Sequence, residues 1–187
     1  MPNAAAVPNT REQILRTALE LFKAQGYDAT SLRQIAERLG ITKAALYYHF
    51  PAKEHLVVEL TRPFVEGLAA IVGEAREASR SGAPIPPDTL IERYLDLVLG
   101  EHDVLNLLTR DPAAQNHPDV GLRATNLYLA LQSDIVGPDG SDADLIRAAA
   151  ALASVSGAAA IPPTRLRRAR QHLLAAALAA LHSGVDG

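Results

Sequence analysis

The sequence predicts an all-α protein, and three observations carry that reading. Apolar residues recur at helical spacing along the whole chain, and no stretch alternates as a half-buried strand would. The segments marked this way are separated by Gly/Pro breaks, the clearest being Ser81-Gly-Ala-Pro-Ile-Pro-Pro87. Residues that cap helices stand just ahead of several segments. At 187 residues the chain can bury a real core, as one domain or two small ones.

Taken in order, residues 1–9 form a short neutral Ala/Pro arm, expected to be disordered. The first helix starts with a capping box of Thr10 and Gln13, buries Ile14, Ala18, Leu21 and Phe22, and ends at Gly26. Ser31 opens the second helix, with Gln34 closing another capping box. Leu32, Ile35, Ala36 and Leu39 make its apolar stripe. Gly40 stands where a helix ends in the left-handed conformation, which costs glycine no Cβ clash. Thr42 caps a short third helix whose Ala45, Leu46 and Phe50 face inward. Thr42, Lys43, Ala44, Tyr47, Tyr48 and His49 are left outside. A solvated helix face seldom carries two tyrosines and a histidine, so this one is expected to touch a partner. Two short helices joined by a tight turn form a helix-turn-helix, which lays its second helix in the DNA major groove.

A long fourth helix is expected from Pro51 or Ala52 to about Arg80. Pro63 removes one bond, to the Glu59 carbonyl, and should kink this helix without ending it, because Phe64, Leu68, Ile71, Val72 and Ala75 resume the period. Further helices are expected at about 88–101, 104–110, 119–136, 142–161 and 164–183. The last two carry apolar stripes, one including Leu152 and Ser156, the other Leu173, Leu174, Leu178 and Leu181. Such a pair is expected to bury itself against a second copy as a four-helix bundle. The fourteen-residue run Ala148 to Ile161 is too short to span a bilayer and suits a core helix. Arg165, Arg167, Arg168 and Arg170 crowd the final segment, either as a solvated face or paired with the acidic body, across a dimer among other ways.

Charge divides the chain. Residues 1–53 carry seven Lys/Arg against four Asp/Glu, a net of +3, and the remainder carries eleven against seventeen, a net of −6. A basic head on an acidic body suits a protein that presents one end to phosphates. The absence of cysteine excludes disulfides, thiolate metal sites and cysteine redox sensing. The six histidines show no i,i+4 pairing, so no metal is expected. No cofactor motif, nucleophile turn or phosphate loop appears, so neither a cofactor nor an enzyme is expected. No signal peptide opens the chain, and a soluble cytoplasmic protein with no membrane partner is expected.

Gly26-Tyr27-Asp28-Ala29-Thr30-Ser31, then Ile35-Ala36, Gly40-Ile41, Leu46-Tyr47-Tyr48-His49-Phe50 and Lys53-Glu54-His55-Leu56 closely resemble the N-terminal domain of TetR-family transcriptional regulators. The resemblance covers roughly Thr10 to Leu60. It implies a three-helix DNA-binding domain, placed here at 10–56, and a helical ligand-binding and dimerisation domain at 57–187.

Lys43 can reach guanine O6 or N7, and Thr42 or Ala44 can meet a phosphate or a thymine methyl. Ser31 and Arg33 join them from the start of the preceding helix. Tyr47, Tyr48 and His49 resemble the family's phosphate-clamping group, and Lys53 with the next helix's first amides would add a second anchor. The resemblance also implies a sensor cavity between the long helix and residues 88–136, with Phe64, Leu68, Tyr94, Val98, His102, Leu105 and Tyr128 as candidates. Of eight aromatic residues five lie in the head, which argues against a cage for a lipophilic cation and for a small, mostly neutral, apolar effector. The expected protein is a homodimeric repressor released from a palindromic double-stranded DNA operator by such an effector. An activator, a ligand-independent regulator and a helical protein-interaction module are the alternatives.

Overall fold

The computed structural model of the chain describes residues 9–117 and 119–184, so the expected arm lies outside the described residues except for Asn9. All regular structure among the described residues is helical, as the sequence predicts. The head comprises α1 (Thr10–Gln25), α2 (Leu32–Leu39) and α3 (Lys43–His49), and α4 (Lys53–Arg80) leads out of it. The body adds α5 (Pro87–Gly100), α6 (His102–Arg110), α7 (Pro112–Gln115), α8 (Gly121–Val136) and α9 (Asp142–Gly157). A 3₁₀ turn (Ala158–Ala160), α10 (Pro163–Arg168) and α11 (Arg170–Leu181) complete it.

Local chemistry sets the head's boundaries. The α1 cap is Asn9, one residue before the expected Thr10, and its side chain accepts the Glu12 N–H at 2.9 Å. Thr17 takes the buried place expected of Leu21, which is half-buried. The α2 capping box is present: Ser31 Oγ accepts the Gln34 N–H at 3.2 Å, and Gln34 Oε1 accepts the Ser31 N–H at 2.8 Å. Gly40 ends α2 at φ 66°, in the left-handed region. Thr42 caps α3 by accepting the Ala45 N–H at 3.1 Å. Ile14, Phe22, Ile35, Leu46 and Phe50 then close a core under the turn, with Leu56 of α4 entering from below.

α4 begins at Lys53 and passes through Pro63 without ending. Phe64, Leu68, Ile71, Val72 and Ala75 are all buried beyond the proline, so one apolar face continues. That face packs on α8 and α5, and α5 packs in turn on α9. Two boundaries differ from expectation. α7 opens at Pro112, where Asp111-Pro112 reads as a break, because proline's fixed φ suits a first helical residue. The segment expected at 164–183 divides at Ala169 into α10 and α11, with no Gly or Pro to mark the division.

The apolar stripes of α9 and α11 meet each other within one chain. Leu152 is fully buried there, and Ser156 turns inward to Tyr94, so neither faces a second copy as expected. Leu173, Leu174, Leu178 and Leu181 are half-buried on the same core. The outward face of the pair carries Ile146, Ala150, Ala175, Ala176 and Ala179. Arg170 grips Asp96 at 2.8 Å and Glu92 at 3.0 Å in its own chain, while Arg165 and Arg168 are exposed; the Arg167 side chain lies outside what is described. The stretch Asp142–Ala160, longer than the fourteen residues expected, is apolar and long enough by composition to cross a membrane. Here it packs against α5, α8 and α11 through Ala148, Ala151, Leu152 and Val155, the setting of a core helix.

Candidate nucleic-acid interface and sensor cavity

α3 is held from beneath and bare above. Leu46 and Phe50 anchor it in the head core, while Lys43, Ala44, Tyr47 and Tyr48 face solvent. Tyr48 is 85% exposed, an expensive place for an aromatic ring that touches nothing else. Its neighbour His49 meets it edge-on at 5.3 Å between ring centres. The Lys43 ammonium lies 5.3 Å from the Tyr47 ring centre, close enough for cation–π attraction. α3 thus presents a cation and two phenol groups on one short rod. Thr42 keeps its hydroxyl proton to donate while its oxygen caps the helix.

The predicted partners outside α3 are more engaged. Ser31 spends its hydroxyl on the α2 capping box. Arg33 pairs with Glu37 one turn on at 2.6 Å, both exposed, a pair weak enough to exchange for a phosphate. Lys53 is turned back onto the head: its ammonium donates to the Tyr27 carbonyl at 2.8 Å and lies 3.9 Å from that ring's centre. Burial, with Glu54 beside it, pushes the Tyr27 phenol up to about 12. Ala52 gives α4 no side-chain cap, so its first amides are left for an anion. Arg11 and Lys23 reach Glu59 and Asp103, each at 2.7 Å, and so face the body.

A second link ties head to body. The Tyr27 backbone N–H donates to Asp111 Oδ2 at 2.9 Å, at the joint between α6 and α7. Sequence reading did not single out Asp111, whose partner is eighty-four residues away.

Behind that joint lies a cavity of about 610 Å³, within the range of small-molecule sites. Of the expected candidates, Phe64, Leu68, Tyr94, Leu105 and Tyr128 line it. Val98 is fully buried in the packing, and His102 is buried with Nε2 2.8 Å from the Ile161 carbonyl, so neither reaches the cavity wall. Thr109, Gln115, Asn116, Thr125, Ala153 and Ser156 were not anticipated. Thr109 and Thr125 lie one turn from Leu105 and Tyr128, so the helical period could have found them. Gln115 belongs to the unexpected α7, with Asn116 next to it. Tyr94 and Tyr128 stand 6.0 Å apart edge to face, and the Tyr94 hydroxyl meets Ser156 Oγ at 2.7 Å.

Residues 14–60 match the sequence profile of the tetR family of bacterial regulatory proteins. The transcriptional regulator LmrA of Bacillus subtilis is 41% identical over 71 residues, 37% of this chain and 38% of that protein. The transcriptional repressor KstR2 of Mycobacterium tuberculosis is 40% identical over 67 residues, 36% of this chain and 34% of that one. These matches span little more than a third of the length of the curated relatives. The fold likeness covers nearly all of the chain. The TetR-family regulator PfmR from Thermus thermophilus superposes with a TM-score of 0.68 at 22% identity, over 93% of this chain and 99% of that one. KstR2 of Mycobacterium tuberculosis gives 0.68 at 20% identity, over 94% and 97%. Residues 14–60 thus carry the tetR-family head, and the chain as a whole has the fold of TetR-family regulators.

Proposed function

We propose that the chain is a cytoplasmic, homodimeric repressor that reads a palindromic operator with α3 and is released by a small molecule in the body cavity. The observation that carries the DNA reading is the α3 face, where Lys43, Tyr47 and Tyr48 stand exposed on a helix fixed by Leu46 and Phe50. Lys43 would read base edges, and the phenols, His49, Lys53 and the α4 amides would hold phosphates. The name of the KstR2 relative, a repressor, supports the sign of regulation.

Two copies would meet through the outward face of α9 and α11, where alanines allow close helix approach. Their recognition helices would need to lie about 34–36 Å apart to enter successive major grooves. An effector that favours another spacing then weakens binding by population shift. The Asp111–Tyr27 link supports this, because α6, α7 and the adjoining Asn116 supply part of the cavity wall and the same joint holds the head.

The test is binding to a randomised palindromic duplex library at several salt concentrations. The expected result is selection of a palindrome, with affinity falling as salt rises. Equal retention of selected and scrambled duplexes would reject the sequence-specific reading.

A further inference from the structure

Among the fourteen described residues that line the cavity there is no Asp, Glu, Lys, Arg or His. A carboxylate or ammonium drawn inside would lose hydration with nothing in the wall to offset it. Burial raises both the Tyr94 and the Tyr128 phenol above the ordinary value, so these groups stay protonated and neutral near neutral pH. The wall's polarity is therefore all dipolar, and apart from Thr109 and Thr125 it gathers at two places.

The inner place is a hydroxyl cluster. Ser156 Oγ donates to the Leu152 carbonyl at 3.0 Å, so the 2.7 Å contact with Tyr94 runs on the Tyr94 proton. That leaves the Tyr94 oxygen as an acceptor, and the Tyr128 hydroxyl also lies within hydrogen-bonding reach of Ser156, so the three hydroxyls form one cluster. The outer place is an amide pair at the rim. Gln115 donates to the Thr109 carbonyl at 2.6 Å and keeps its own carbonyl oxygen for an incoming donor. Exposed Asn116 offers both a donor and an acceptor.

The distance between the two follows from α8. Its first residue, Gly121, abuts Gln115 so closely that a Cβ there would lie 1.6 Å from the Gln115 carbonyl oxygen. Tyr128 is seven residues further on, about 10 Å along the axis at about 1.5 Å per residue. The wall between them is largely apolar, with Leu105, Leu108, Ala124 and Phe64; Thr109 turns its hydroxyl back to the Leu105 carbonyl at 2.9 Å, and Thr125 is exposed.

We propose that the cavity takes an uncharged, elongated, largely apolar molecule with an oxygen function at each end, the inner end held by Tyr94 and Tyr128 and the outer by Gln115 and Asn116. This rests on reading the cavity as the effector site. The class includes diols, hydroxyketones and hydroxyesters of medium length, and leaves fatty acid anions and alkylammonium ions without a countercharge at either pole.

The experiment uses the full chain and calorimetric titration with octanediol hydroxylated at both ends, octanol, octanoate and octylammonium. Diols of four to twelve carbons follow. The diol is expected to bind about fivefold more tightly than octanol, the increment of one added hydrogen bond. Affinity should peak at an intermediate diol length, when the chain spans both poles. Tyr128→Phe and Asn116→Leu should each erase the advantage of diol over octanol while leaving octanol affinity within about twofold. Octanoate or octylammonium binding as tightly as the diol would overturn the proposal. So would a diol advantage that persists in both variants, or no measurable heat from any probe. Operator binding without probe is measured in parallel, and its loss would sink the DNA-binding reading without touching the diol result.

Discussion

Asp111 holds the backbone of Tyr27 across eighty-four residues of sequence, its carboxylate accepting the Tyr27 amide at 2.9 Å. The same Tyr27 accepts Lys53 through its carbonyl at 2.8 Å. One peptide segment of the head is thus held by the body on one side and by the start of α4 on the other. Asp111→Ala should cost about 1–2 kcal/mol by leaving a part-buried amide without its charged acceptor. Hydrogen exchange at the Tyr27 amide is the direct readout. Unchanged protection in the variant would mean that the bond holds nothing.

Lys43 and Lys53 should separate on DNA. Lys43→Ala is expected to relax base preference at one operator position, at a cost of about 1–3 kcal/mol on the preferred sequence. Lys53→Ala should weaken all sequences alike and reduce the salt slope by about one. It should also lower the melting temperature of the free protein, since its ammonium holds the Tyr27 carbonyl. A Lys53→Ala protein with wild-type melting would show that this contact contributes nothing to the head.

The α9–α11 pair predicts two kinds of defect from similar substitutions. Leu178→Glu places a carboxylate in packing internal to one chain and should unfold the body. Ala176→Glu, on the outward face, should leave the chain folded but monomeric by sedimentation. A folded dimer in the Ala176→Glu protein would move the interface off this face.

Acid should reveal the α9 cap. Ser141 donates from both its hydroxyl and its backbone N–H to Asp144, which holds that carboxyl well below the ordinary carboxylate range, and Arg147 adds to the effect. A depressed folded value means stability present above the unfolded value, about 3.9, and lost as pH falls from there through the folded one. Asp144→Asn should therefore melt lower than wild type near neutral pH, with the difference shrinking as pH drops below about 4. A difference constant over that range would exclude the charge as its source.

The head was legible because its signals are local. Ser31 with Gln34, Gly40 and Thr42 each act within a few residues, so spacing alone identifies them. Even there Asn9 displaced Thr10 as the cap, because both side chains can accept the same kind of amide. The body was harder to read. Periodicity shows that Leu152 and Leu178 are on apolar faces, but not that those faces meet within one chain. The division at Ala169 has no Gly or Pro beneath it, and α7 lay hidden in an Asp-Pro break. Five cavity residues were found because large apolar side chains on neighbouring helices must converge. Gln115 and Asn116 were not, because small polar residues in a connection resemble any exposed loop.

The tight seat of Gly121 against Gln115 bears on how such a receptor could be retuned. Any side chain at 121 would force α7 off α8 and drag the neighbouring Asp111 with it, so this position is closed to variation. The rim residue beside it is not, since Asn116 is exposed and makes no side-chain hydrogen bond among the described residues. A mutational library confined to Asn116 and Thr125 would explore new effectors while the α6–α7 joint and the operator-reading surface stay as they are.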